Sequence, residues 1–145
     1  MSEPTTLIVE TTAPKPCPID FLGDTKDIVY FISFAHSERY GADHPLAKAG
    51  AILKRQLRIN LAPLLTFADA RTENAQEEHL LDNLWQDAGP LADSARAAAE
   101  AIAGTSDLLE LTSAFPELPD RLRELADMAT WAAEQGARVR LTYVI

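Results

Sequence analysis

The sharpest pattern in the chain lies at its C-terminal end, where Val139, Leu141, Tyr143 and Ile145 alternate with Arg138, Arg140 and Thr142. A period of two puts each set on its own face of an extended backbone, so the segment predicts a β-strand. A lone strand cannot satisfy its own N–H and C=O groups. Its partner is the β-branched N-terminal run TTLIVETT (Thr5 to Thr12), a second copy of the chain, or another protein.

Elsewhere the apolar positions recur at the spacing of a helix. The run after Asp24 and Thr25, either of which can cap, is apolar on nearly every side and predicts a buried helix from about Thr25 to Arg39, with strand as its competitor. Tyr40-Gly41 reads as its stop, Asp43 as the cap of a second helix, and Pro45 as a first-turn residue. In that second helix Leu46, Leu53, Leu57, Leu61 and Leu64 form one core stripe, bent or ended by Pro63.

A third helix is expected from about Glu73, capped by Thr72, to Ala88, with His79, Leu80, Leu84, Trp85 and Ala88 sharing its packed face. Gly89-Pro90 interrupts it, and the pattern resumes with Leu91, Ala95, Ala98 and Ile102. TSDLLEL gives a short helix capped by Thr105 or Ser106. Pro119 then opens a last one with the stripe Leu118, Leu122, Leu125, Ala129 and Ala132, stopped at Gly136.

The fold expected from these elements is mainly α: a single-domain helical bundle of four to six helices with an extended N-terminal arm and a short C-terminal β-strand. Residues 1–18, broken by Pro14, Pro16 and Pro18, form the Pro/Thr-rich arm, and residues 19–145 the helical domain. At 145 residues one core suffices, and 47% hydrophobic against 24% charged residues is the balance of a folded soluble domain. The longest apolar run is far short of the ~20 residues that span a bilayer. Neither a basic nor an apolar leader opens the chain, so the cytoplasm is the expected location. The lone Cys17 has no internal disulfide partner and matches no zinc spacing.

Charge changes the picture more than composition does. The net charge is -9, yet from His44 to Ala68 there is no acidic residue, while Lys48, Lys54, Arg55 and Arg58 are all basic. The rest of the chain therefore holds nine basic residues against twenty-two acidic ones. That excess argues against nucleic acid and anionic membrane as partners. Two readings remain for the basic segment: its cations offset acidic faces of neighbouring helices, or they form a docking face for an acidic protein or a second copy of the chain.

Candidate chemistry is sparse. AHSERYGADHP, residues 35 to 45, brings together His36, Glu38, Asp43 and His44, but backbone needs explain its Gly, Asp and Pro, and the spacing fits neither a di-iron nor a zincin helix pair. His79 follows Gln76, where a helical ligand pair needs a carboxylate. No phosphate-binding glycine loop or nucleophile elbow occurs. The leading expectation is a small acidic, non-enzymatic interaction, assembly or regulatory accessory protein, docking through the basic helix face (44–68) and the terminal strands. Its interaction residues are Lys48, Lys54, Arg55, Arg58, Trp131, Arg138, Arg140 and Tyr143, and its partner a protein or a second copy, as in a homodimer. The alternatives are a bundle binding a small ligand or metal through His36, Glu38, His44, His79 and Asn60, with the cofactor unknown, and a small enzyme using histidine acid/base chemistry.

Overall fold

In the computed structural model, which describes residues 5–36 and 43–144, the sheet is organised around the C-terminal strand. The elements run β1 (Thr6–Thr11), α1 (Lys26–His36), α2 (Pro45–Ala51), β2 (Phe67–Asp69), α3 (Ala75–Asp82), β3 (Gln86–Asp87), α4 (Ala88–Gly104), α5 (Ser106–Leu111), α6 (Leu118–Glu134) and β4 (Arg138–Val144). One edge of β4 takes β1, antiparallel, from Thr6 opposite Val144 to Thr11 opposite Val139. The other edge takes two short strands: β2 in parallel, with Phe67 opposite Leu141, and β3 antiparallel, with Gln86 opposite Val139. Of the three partners open to the C-terminal strand, the one it takes in the structure is the N-terminal run TTLIVETT. The sheet is larger than the single strand expected: a mixed, four-stranded sheet in a mainly helical chain.

Alternation sets the faces. Leu7, Val9, Leu141 and Val139 turn to the helices, and Leu7, Val139 and Leu141 are buried. Behind them α4 and α6 pack as a pair joined through α5, with Arg96 of α4 donating to Thr130 Oγ1 of α6 at 3.1 Å. Their buried residues are mostly small: Ala92, Ala95, Ala98 and Ala99 on α4, Ala126, Ala129 and Ala132 on α6. Alanine surfaces let two helix axes approach to the near end of the usual 8–10 Å. The stripe Leu118, Leu122, Leu125, Ala129 and Ala132 is fully enclosed, as its period predicts. The helix then stops at Gly136, whose φ of 68° is cheap only for glycine. Helix α1 brings Ile28, Val29, Phe31 and Ile32 into the same core, and α2 crosses it at Gly50. A Cβ added at Gly50 would come within 2.9 Å of the Ala35 methyl.

Both ends of α2 and both ends of α3 differ from the sequence expectation, each for a local reason. The cap of α2 is His44, not Asp43: its Nδ1 accepts from Leu46 N at 3.1 Å while Pro45 fills the first turn. Helix α2 does not run on to Leu64. It widens into a π turn over Ile52–Gln56 and ends there, and Arg58 takes a φ of 55°. Asn60 then starts a turn by accepting from Ala62 N, and Pro63 cannot continue a helix, so Leu61 and Leu64 reach the core from a turn and Leu57 does not reach it at all. Finally, α3 is capped by Asn74, which accepts from Glu77 N at 2.9 Å, and stops at Asp82. Gly89-Pro90 is not a break; it lies in the first turn of α4, where proline's missing N–H costs nothing.

Polar groups inside the fold tie the arm to the helices. Thr25 Oγ1 accepts from Leu7 N at 2.9 Å, and the buried Asp27 accepts from Glu117 N at 3.2 Å. Asp27 sits in the first turn of α1, where the helix dipole favours a negative charge. Burial outweighs that and raises its pKa above the ordinary carboxylate value, against the lowering effect of the Glu117 hydrogen bond. The native state then holds this proton over a range where the unfolded chain has lost it, so the group's contribution falls as pH rises from the ordinary aspartate range and stays lower at neutral pH. Asp27→Asn, which keeps an acceptor for Glu117 N–H, is expected to gain stability over the unsubstituted protein as pH rises through that window and to show no gain below it. Urea unfolding across acidic to neutral pH checks the sign.

Candidate interaction site

The basic segment begins in α2 and ends in the turn after it. Lys48 is exposed on the helix, and Arg55 and Arg58 are exposed at its end. Lys54 is different: its Nζ donates to Ala35 O at 3.2 Å, so the cation sits on the C-terminal end of α1, where a helix presents bare carbonyls and the negative end of its dipole. Between Arg55 and Arg58 lies Leu57, assigned by its spacing to the core stripe but 42% exposed in the structure. The cause is the π turn, which inserts an extra residue per turn and rotates everything after it off the α-helical stripe. Arg58 closes the turn in the left-handed region, a conformation costing a non-glycine residue about 1 kcal/mol. π turns and non-glycine residues of positive φ both concentrate at functional sites.

The other expected interaction residues have duties within the fold. Arg140 forms a bidentate pair with Glu10 at 3.0 Å to each carboxylate oxygen, donates to Leu81 O, lies 3.8 Å from Asp82 and stacks 4.7 Å over the Trp85 ring. This network fastens α3 to the side of the sheet away from Leu141. It also places Trp85, expected in the core, half-buried beneath a guanidinium. Arg138 reaches Asp87 at 3.8 Å. Trp131 packs half-buried against the core, and Tyr143 meets Phe67 edge to face. Burial, with Asp69 second, raises the Tyr143 pKa.

The expected ligand residues take separate settings. His36 meets the Phe67 ring edge-on, whereas His44 lies flat on Phe34 at 3.7 Å between centroids while capping α2. His79, expected on a packed face, is exposed on α3, and Asn60 starts its turn. Glu38 and the Tyr40-Gly41 stop lie outside the described residues. Among the described residues no group of three His, Cys, Asp or Glu side chains is placed to hold a metal ion, and no helix is long and apolar enough to cross a membrane. Cys17 lines a cleft of about 300 Å³ between β1 and the returning arm, with Val9, Ile19, Phe21 and Met128.

Sequence reasoning missed two exposed leucines. Leu57 carried no signal, because a π turn has no sequence period of its own. Leu80 is 60% exposed on a helix with no buried residue, although its spacing to Leu84 and Trp85 suggests a packed face; the polar run from Arg71 to Asn74 before it was the available warning. No family model matches this chain, and neither a curated protein nor a solved structure is similar enough to it to count as a match.

Proposed function

We propose that this protein is a non-enzymatic interaction or assembly subunit that receives an acidic protein surface on the face formed by Lys48, Arg55, Leu57 and Arg58. One observation carries the reading: at the end of α2 an exposed leucine stands between exposed cations on a backbone that departs from regular helix twice within a few residues. An apolar anchor with a charged rim is the anatomy of an interface. The leucine supplies desolvation, and the cations set orientation and association rate.

The terminal strands contribute less than the sequence suggested. Strand β4 has neighbours on both edges, and the outer edge of β1 is blunted by Thr25 on Leu7 N at one end and by Pro14 and Pro16 beyond the other.

The test is the triple change Lys48→Gln, Arg55→Gln and Arg58→Asn, with Lys54 left in place because it holds α1. Asparagine is chosen at 58 because it tolerates positive φ. Purification of tagged protein from the cells that make it is expected to recover an acidic protein in fixed stoichiometry, released by salt and lost with the triple variant, whose unfolding free energy stays within about 0.5 kcal/mol of the original. Recovery of the same protein at the same yield by the variant would falsify the assignment.

A further inference from the structure

The acidic half of the chain's charge is as segregated as the basic half. From Thr72 to Ala95 there is no lysine or arginine, while Glu73, Glu77, Glu78, Asp82, Asp87 and Asp93 are acidic. The obvious use for this segment is to neutralise residues 44–68 within the same fold. The structure spends part of it elsewhere: Asp82 and Asp87 pair with Arg140 and Arg138, and among the described residues no ion pair joins the acidic segment to Lys48 or Arg58. Two surfaces of opposite charge therefore face outward from one chain.

Each surface also carries an exposed leucine. On α3 this is Leu80, at the edge of a shallow apolar groove of about 470 Å³ lined by Ala75, Gln76 and His79. Glu77 lies one turn before Leu80 on the same side of the helix, and its carboxylate accepts from the backbone N–H of Glu73, which fixes that carboxylate at the start of α3. Helix α3 buries no side chain, yet it is held in place by Arg140 on Leu81 O and Asp82. A pre-formed helix with an apolar side and an acidic rim is the chemical complement of Leu57 with its basic rim.

We propose that the acidic surface received by the basic face is the α3 surface of a second copy of this chain, in a head-to-tail contact. The proposal rests on the docking reading above and names its partner. Because the two surfaces differ, the contact is heterologous, and it propagates to rings or filaments instead of stopping at a twofold dimer.

Sedimentation and native mass spectrometry of the purified chain test it. At low ionic strength the average mass is expected to rise with concentration, and to fall back at high salt, where the Debye length shrinks to about 3 Å. Two variants break opposite ends: the triple change on the basic face, and Glu73→Gln with Glu77→Gln and Leu80→Ser on α3, where the amide introduced at position 77 keeps an acceptor and Leu80 has little burial to lose. Each alone is expected to weaken self-association at least about tenfold, a loss of roughly 1.4 kcal/mol. Mixed together they retain one intact pair of surfaces, so an equimolar mixture is expected to form a one-to-one dimer and nothing larger.

A wild-type chain that stays monomeric at every concentration overturns the second copy as partner, and leaves the docking face to its own test by purification. Association unaffected by either variant overturns the contact. A mixture that fails to form the dimer overturns the head-to-tail arrangement.

Discussion

A chain beginning at Ile19 is expected not to fold. By sequence, residues 1–18 read as an arm ahead of the helical domain, yet β1 supplies the antiparallel partner along the length of β4, from Thr6 to Thr11. Removing it strips a ladder whose hydrogen bonds are each worth about 0.5–1.5 kcal/mol net, loses the buried Leu7 at roughly 2 kcal/mol, and opens Val139 and Leu141 to water. The sum exceeds about 5 kcal/mol, which is the whole stability of many domains. The exposed edge of β4 would also template aggregation. Circular dichroism and denaturant unfolding of the shortened chain decide the matter. Retention of a cooperative transition within about 1 kcal/mol of the full chain would mean that the sheet contributes little. Leu7→Ala is the milder companion, expected to cost about 2–3 kcal/mol with the fold kept.

The second large effect comes from an ion pair. Arg121 on α6 is 7% exposed and Glu124 13%, with 2.7 Å between Nη1 and Oε1. Glu124 Oε1 also accepts from Leu22 N, which pins the loop that leads into α1, and the guanidinium lies beneath Gly23. Glu117, at 3.9 Å and half-buried, is a weaker partner, and Arg121 Nε has none. Glu124→Leu therefore leaves a buried cation with little compensation and is expected to destabilise the protein by about 3–5 kcal/mol. Adding Arg121→Met should recover most of that loss, because a buried ion pair and a well-packed apolar pair of similar volume are often of near-equal stability. If Glu124→Leu costs no more than an exposed substitution, the pair is solvated and the loop is held by something else.

The sequence made legible whatever a single period could carry. The stripe of α6, the start of the short α5 after Thr105, the glycine stop at 136 and the alternation of β4 all appear where spacing puts them, because each is decided within a few residues by backbone geometry and one buried face. What escaped was decided by tertiary context. Ending α2 early depends on a π turn and on Asn60 and Pro63 acting together. The two-residue β3 between α3 and α4 exists only because Val139 and Arg138 lie beside it. The three residues Phe67–Asp69 are too few to carry a period of their own, and they form a strand because β4 lies beside them.

The site was half legible. The absence of acidic residues over 44–68 stands in the sequence, but spacing could not tell that Lys54 faces α1 or that Leu57 faces water. Arg140, chosen for its place on a terminal strand, is instead the group that joins β1, α3 and Trp85.

The hub position of β4 has a consequence for how the protein is made. Glu10 and Arg140, which share a salt bridge, are 130 residues apart in the chain. At the ~5–20 residues per second of translation, β1 waits on the order of ten seconds for its partner to be synthesised. During that time α4 and α5 are made, α6 is completed only just ahead of β4, and closing the sheet becomes the final step. Until then the threonine-rich, β-branched segment TLIVET is an unpaired strand in solution. The prolines at 14, 16 and 18 interrupt extended pairing directly beyond it, and so guard the nascent chain as well as the finished edge.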